Sequence, residues 1–158
     1  MARGHLKIKR KAIQPDAKFS SLVVTKMINY IMKNGKKTVA EKIVYQSLDQ
    51  AALTLKAEPM EILDTVLKNV GPLVEVKSKR IGGANYQVPM EVSRDRKNTL
   101  AMRWVIGAAQ GSKGKPMAQK LALEMISAYN NEGAAIKKKD DTHRMAEANK
   151  AFAHFARF

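Results

Sequence analysis

Leu73-Val74-Glu75-Val76-Lys77-Ser78-Lys79-Arg80-Ile81-Gly82-Gly83-Ala84-Asn85-Tyr86-Gln87-Val88-Pro89-Met90-Glu91-Val92 reads as two short strands around a glycine turn. On the first, Val74 and Val76 alternate with Glu75 and Lys77. On the second, Tyr86, Val88, Met90 and Val92 alternate with Gln87, Pro89 and Glu91. Period-two alternation interrupted by Gly82-Gly83 predicts a β-hairpin over 73–92 whose base is apolar on one face. Pro89 has no N–H for a ladder, so the hairpin is expected to be an edge ribbon and not part of a wide sheet. Its tip, with Lys77, Lys79, Arg80, Asn85, Tyr86 and Gln87, has little to bury. An isolated two-stranded ribbon is marginal in water. A cationic tip with an aromatic therefore suits a nucleic-acid groove or loop.

Working outward, the flanks read as helices. Val24, Met27, Ile28 and Ile31 share a face of a helix starting at Ser20 or Ser21 and stopped by Gly35. Thr38 and Glu41 have capping-box spacing ahead of the stripe Val44, Leu48, Ala51, Ala52 and Leu55. Pro59 opens a third helix carrying Leu63, Val66, Leu67 and Val70, and Gly71-Pro72 ends it and launches the hairpin. Beyond Val92, Trp104, Val105, Ala108 and Ala109 face inward on a fourth helix, with Arg96 and Arg103 a heptad apart on another side. Gln110 to Lys115 is a loop. Pro116 opens a fifth helix with Leu121, Ala122, Met125 and Tyr129. A sixth, broken from it by Gly133, carries Met145, Ala148, Phe152 and Phe155. The expected fold is mainly α: a single-domain bundle of about six helices over 15–158, with a protruding two-stranded β-hairpin between the third and fourth helices. Residues 1–14 are expected to form a flexible basic arm.

The 158 residues are 45% hydrophobic, enough for a packed core, and 29 Lys and Arg against 14 Asp and Glu leave a net charge of +15. Such an excess repels itself in the free protein and favours a polyanion, nucleic acid before an anionic membrane. No cysteine is present, which removes disulfides, thiolate nucleophiles and Cys-based zinc sites. His5, His143 and His154 have no metal-ligand spacing, and His143 beside Arg144 reads as a surface or packing residue. Gly107, Gly111 and Gly114 do not fit a phosphate loop. Glu58, Glu61 and Asp64 suit a helix dipole. Neither an enzyme nor a resident metal or cofactor is expected. No run of about 18 apolar residues occurs, so no membrane partner is expected and the protein is read as cytoplasmic.

Candidate phosphate contacts fall in clusters. They are the arm (Arg3, Lys7, Lys9, Arg10 and Lys11), Lys36 and Lys37, and the ribbon tip together with Arg94, Arg96, Lys97 and Arg103. Lys113 and Lys115 add a loop, and Lys137, Lys138 and Lys139 a fifth group offset by Asp140 and Asp141. Neutralising about eight phosphates would give a salt slope of roughly −7 on a duplex and less on single strands. Asn85 and Tyr86 are candidates for base contact.

The run Val70-Gly71-Pro72 through the whole hairpin to Val92 closely resembles the hairpin of bacterial-type small-subunit ribosomal protein seven. Gly35-Lys36-Lys37, Leu100-Ala101-Met102-Arg103-Trp104 and His143-Arg144-Met145-Ala146-Glu147-Ala148-Asn149-Lys150-Ala151-Phe152-Ala153-His154-Phe155 resemble further motifs of that family, in the same order. The resemblance implies a primary binder of small-subunit (16S-type) rRNA that nucleates assembly of the head. It also implies a ribbon tip and last helix at the exit site near tRNA and mRNA, and proteins nine and eleven as neighbours. It puts Lys77, Lys79, Arg80 and Tyr86 on the tip, Arg94, Arg96, Lys97 and Arg103 on the RNA-facing side, and Arg144 and Lys150 on the terminal helix. The location it implies is the cytoplasm, or an organelle with bacterial-type ribosomes. Asn34 replaces an acidic residue often found before Gly-Lys-Lys, and Gly71 stands where many members are basic. Ending at Ala156-Arg157-Phe158, the chain resembles the family's short forms, so no role of a longer tail is expected. The competing expectation is an architectural DNA-binding protein using a basic β-ribbon, with Ile81 as a poor wedge.

Overall fold

Residues 12–157 are described by the computed structural model. The local chemistry before the first helix is a turn built on one carboxylate. Asp16 accepts from the backbone N–H groups of Lys18 (3.0 Å), Phe19 (2.8 Å) and Ser21 (3.0 Å) and from the Tyr45 hydroxyl at 3.3 Å. Ser21 then caps α1 (Leu22–Ile31), its Oγ accepting from Val23 N at 3.2 Å. Val24, Met27, Ile28 and Ile31 are buried, as the stripe predicts. The helix stops at Ile31 with Met32 as C-cap, short of Gly35; Asn34 and Gly35 make the turn, both at positive φ.

That turn displaces the expected capping box. The helix α2 (Lys37–Leu55) has Lys36 as its N-cap with no side-chain hydrogen bond, so Thr38 already lies inside the helix, and Glu41 instead faces Lys37 at 3.8 Å. The helix α3 (Pro59–Val70) begins at its proline and ends at Gly71, whose N–H bonds Leu67 O at 3.0 Å. The helices α4 (Arg94–Gly111), α5 (Met117–Tyr129) and α6 (Ala134–Ala148) follow the hairpin. Glu124 of α5 accepts from Ala135 N at 2.8 Å and so serves the start of α6. Gln110 and Gly111 belong to α4, not to the following loop.

One buried cluster joins Met27 and Ile28, Val44 and Leu48, Ile62 and Val66, Met102 and Val105, Leu121 and Met125, and Ala135. Each helix thus buries the face its 3.6-residue period marks. The sixth helix departs from expectation. Thr142 and Ala146 are buried, whereas Met145 is 51% exposed. The helix gives way at Asn149 to a terminal 3-10 helix, Lys150–Arg157, so Phe152 and Phe155 are not on α6.

The hairpin has β1 (Val74–Ile81) and β2 (Ala84–Glu91) in the predicted place between α3 and α4. Gly82 and Gly83 take φ of 58° and 90°, the paired positive values a two-residue primed turn requires. This turn fixes a register that pairs Glu75 with Met90 and Lys77 with Val88, but Val74 with Glu91 and Val76 with Pro89. Apart from the apolar Val76–Pro89 pair, apolar residues of one strand thus lie opposite charged ones of the other, and the expected single apolar face is replaced by two mixed ones.

Asp16 is buried, which raises its pKa, but its four hydrogen-bond donors outweigh that and hold it below the ordinary carboxylate range. Its contribution to stability is therefore present above the unfolded-state pKa and is lost as pH falls through the lowered folded value. Asp16→Ala should destabilise the fold by about 1–3 kcal/mol in urea titrations at neutral pH. The variant should also lose less stability than the wild type on acidification.

Candidate nucleic-acid interface

The ribbon tip is occupied. Tyr86 packs on Phe152 (ring centroids 5.2 Å apart) and Phe155 (5.4 Å) of the terminal 3-10 helix. Lys79, its cross-strand partner, donates to the carbonyls of Phe155 at 3.2 Å and Ala156 at 3.4 Å. The tip thus buries more than its sequence suggests, and Tyr86 is only half-exposed. Arg80 and Asn85 pair across the strands, both exposed and on the other face of the ribbon.

At the ribbon base one carboxylate gathers two of the predicted contacts. Glu75 Oε2 accepts from Arg96 Nη2 at 3.1 Å and Nε at 3.2 Å, while Oε1 lies 3.1 Å from Lys77 Nζ. Burial raises the Glu75 pKa, but Lys77 and Arg96 more than offset it and hold it below the usual range. Leu73 N donates to His143 Nε2 at 3.1 Å, which makes His143 the hinge contact between ribbon and α6. Lys97 lies half-buried with its stem against Gly71, where a Cβ would come within 2.6 Å of Lys97 Cγ. The aliphatic part of Lys97 thus fills the space beside Gly71, where a side chain would displace it.

The α1–α4 side carries the remaining cations. Arg94 is exposed at the start of α4, and Lys36 and Lys37 are exposed at the start of α2. Arg103 places its guanidinium carbon 5.3 Å from the centroid of the Tyr30 ring, within cation–π range. Two shallow grooves run beside them. One, of about 660 Å³, is lined by Gln14, Thr25, Asn29 and Lys37; the other, of about 310 Å³, by Lys33, Lys36 and Gln110 over an apolar floor. Thr25 Oγ1 bonds Gln14 O at 3.0 Å, so the end of the basic arm meets this side. Arg3, Lys7, Lys9, Arg10 and Lys11 lie outside the described residues. Arg144 is exposed, 3.7 Å from Asp141, and Lys150 is exposed where the 3-10 helix begins. Lys139 is turned inward to Asn69 O at 2.9 Å.

The structure therefore sorts the sequence-derived set. Lys36, Lys37 and Arg103 sit on the α1–α4 side and its α2 margin, and Arg94 is exposed at the start of α4, on the opposite side of that helix from Arg103. Lys77 and Arg96 are held by Glu75, and Lys79 and Tyr86 by the chain terminus. Tyr30 and Lys26 lie off the apolar stripe of α1, Lys33 lies just beyond its C-cap, and Glu75 is one polar position of an alternating strand, so no local pattern marks them as site residues. Among the described residues no group of three His, Asp or Glu is placed to hold a metal ion. No helix is long and apolar enough to cross a membrane.

Residues 3–150 match the model of a family described as ribosomal protein S7p/S5e. The chain is 55% identical over 150 residues to the small ribosomal subunit protein uS7 of Chloroflexus aggregans, covering 95% of this chain and 96% of that one. Against the uS7 of Roseiflexus castenholzii it is 54% identical over 151 residues, 96% of each chain. Against that of Thermotoga maritima it is 52% identical over 146 residues, 92% of this chain and 94% of the other.

Glu75→Gln should release Lys77 and Arg96 to a polyanion. Binding of a structured RNA should tighten at low salt, and the salt slope should steepen by roughly 1–2. An unchanged slope would mean that both cations stay on Glu75 in the complex. The wild type should approach the variant only as pH falls through the lowered Glu75 pKa, because the ion pairs persist above it.

Proposed function

The chain belongs to the ribosomal protein S7p/S5e family, and we propose that it is a primary rRNA binder whose docking nucleates assembly of the small-subunit head. Membership makes it a structural, RNA-binding component of the translation machinery and not an enzyme, located in the small ribosomal subunit of the bacterial cytoplasm. In this reading the α1–α4 side and the ribbon base grip a multi-helix junction of 16S-type rRNA. Lys36, Lys37, Arg94, Lys97 and Arg103 meet phosphate, joined by the arm cations and by Arg96 on exchange with Glu75.

The observation that carries the reading is the separation of two cationic regions. One lies on rigid helices around α1 and α4, and the other projects on a ribbon whose angle is set by contacts to α4, α6 and the terminal 3-10 helix. Helices hold charges at fixed spacings, which suits a pre-folded RNA surface. The projecting tip, with Lys77, Lys79, Arg80, Asn85 and Tyr86, then serves the exit site, near tRNA and mRNA. Arg144 and Lys150 lie beside it, and proteins nine and eleven are its neighbours.

Purified protein should bind the isolated head junction of the rRNA far more tightly than duplex DNA of equal length at the same salt. Comparable affinities would favour the architectural DNA-binding alternative. Replacing residues 77–87 with Gly-Gly should leave junction affinity and head assembly near wild type while loosening tRNA retention in reconstituted subunits. Loss of junction binding in that variant would make the tip the anchor and overturn the division of labour.

A further inference from the structure

We propose that Tyr30 and Arg103 form a stacking platform for an unpaired nucleobase of the bound RNA, a contact that rests on the rRNA-binding reading above. The starting point is the use of the other aromatic side chains. Phe19, Tyr45, Trp104 and Tyr129 pack against the core. Tyr86, Phe152 and Phe155 pack on one another. Among the described aromatics Tyr30 does neither. The apolar stripe of α1 is complete without it, and the residue remains 36% exposed.

What covers part of that ring is the guanidinium of Arg103, reaching across from α4. Arg103 enters no ion pair among the described residues, unlike Arg96 and Arg144. The Tyr30 hydroxyl likewise has no hydrogen-bond partner among them. A guanidinium held against a ring by a cation–π contact has its position restricted before any ligand arrives, so less rotamer freedom is lost on binding. The guanidinium and the uncovered part of the ring are the surfaces offered to a base, and base–aromatic stacking tolerates any base because each has a π-face.

The surroundings leave room for such a ligand. Gly107, one helical turn beyond Arg103, would carry a Cβ with nothing within 4 Å of it. Lys26 is exposed on α1, one turn before Tyr30, and Lys33 is exposed just beyond the helix C-cap, so a cation lies on either side of Tyr30 along the chain as a phosphate partner. A base held by the platform would thus have cations of the same segment available to its backbone.

The test uses the full chain and the rRNA head junction, with affinity measured across a range of salt. Tyr30→Leu keeps an apolar side chain but loses the π-face. It should weaken binding by about 5- to 150-fold with the salt slope unchanged. Tyr30→Phe should bind like wild type, and ultraviolet crosslinking of wild-type complexes should place an RNA adduct on the peptide containing Tyr30. Wild-type affinity in Tyr30→Leu would overturn the proposal. So would a loss accompanied by a slope shallower by about one, because Tyr30 would then only aim Arg103 at a phosphate. If the wild-type protein itself fails to prefer the junction over duplex DNA, the rRNA-binding reading falls first, and the platform with it.

Discussion

Repulsion among 29 cationic side chains, against only 14 carboxylates, is the constraint around which this structure is arranged. Several of those carboxylates sit at joints between elements. Asp16 closes the turn before α1, and Asp49 on α2 holds Lys18 of that same turn at 2.7 Å. Glu75 ties the ribbon to α4, and Glu124 supplies an acceptor to the first turn of α6. A carboxylate at a joint lowers the local repulsion and fixes geometry together. It also leaves cations of α4 such as Arg94 and Arg103 without a carboxylate partner among the described residues.

The ribbon shows how such joints create a defined projection. Two strands alone would be marginal, and the mixed faces produced by the register give neither side a full apolar surface. The base is held by Val88, fully buried, by the Leu73–His143 hydrogen bond and by the Glu75–Arg96 pair. The tip is held by the Tyr86, Phe152 and Phe155 cluster and by Lys79 on two terminal carbonyls. Aromatic contacts of this kind add about 0.5–1.5 kcal/mol each beyond area burial. That is enough to bias the ribbon's angle and small enough for a large RNA contact to reset it.

The features legible in the sequence were those set by short-range chemistry. The Gly82-Gly83 turn, the Pro59 start, the Gly71-Pro72 stop and the α1 and α3 stripes all follow from backbone freedom or a helical period within a few residues. The misreadings came from competition at the same range. Thr38 has the right spacing for a capping box, yet the Asn34-Gly35 turn delivers the chain so that Lys36 is already the cap. Phe152 and Phe155 continue a helical spacing from Met145, but the chain turns tighter after Asn149 and directs them at Tyr86. Contacts across long sequence separations left no local trace. Glu75 with Arg96, and Tyr30 with Arg103, are brought together only by packing, and neither partner carries a motif that names the other.

The same distinction bears on how binding is distributed over the surface. Lys77 and Arg96 are about half-exposed in their ion pairs, whereas the Glu75 side chain between them is only 12% exposed. Handing both cations to phosphate would leave that largely buried carboxylate unpaired, a desolvation cost that the phosphate contacts must exceed. Arg103 differs, because its partner is a ring that need not be given up when RNA arrives. Exchangeable pairs supply salt-dependent affinity with little directional content. In the proposed rRNA-binding reading, a guanidinium already held against a ring offers a stacking surface that only an unpaired base can use. Selectivity for a folded junction over any other polyanion would then rest more on the few cations whose position is set in advance than on the total charge.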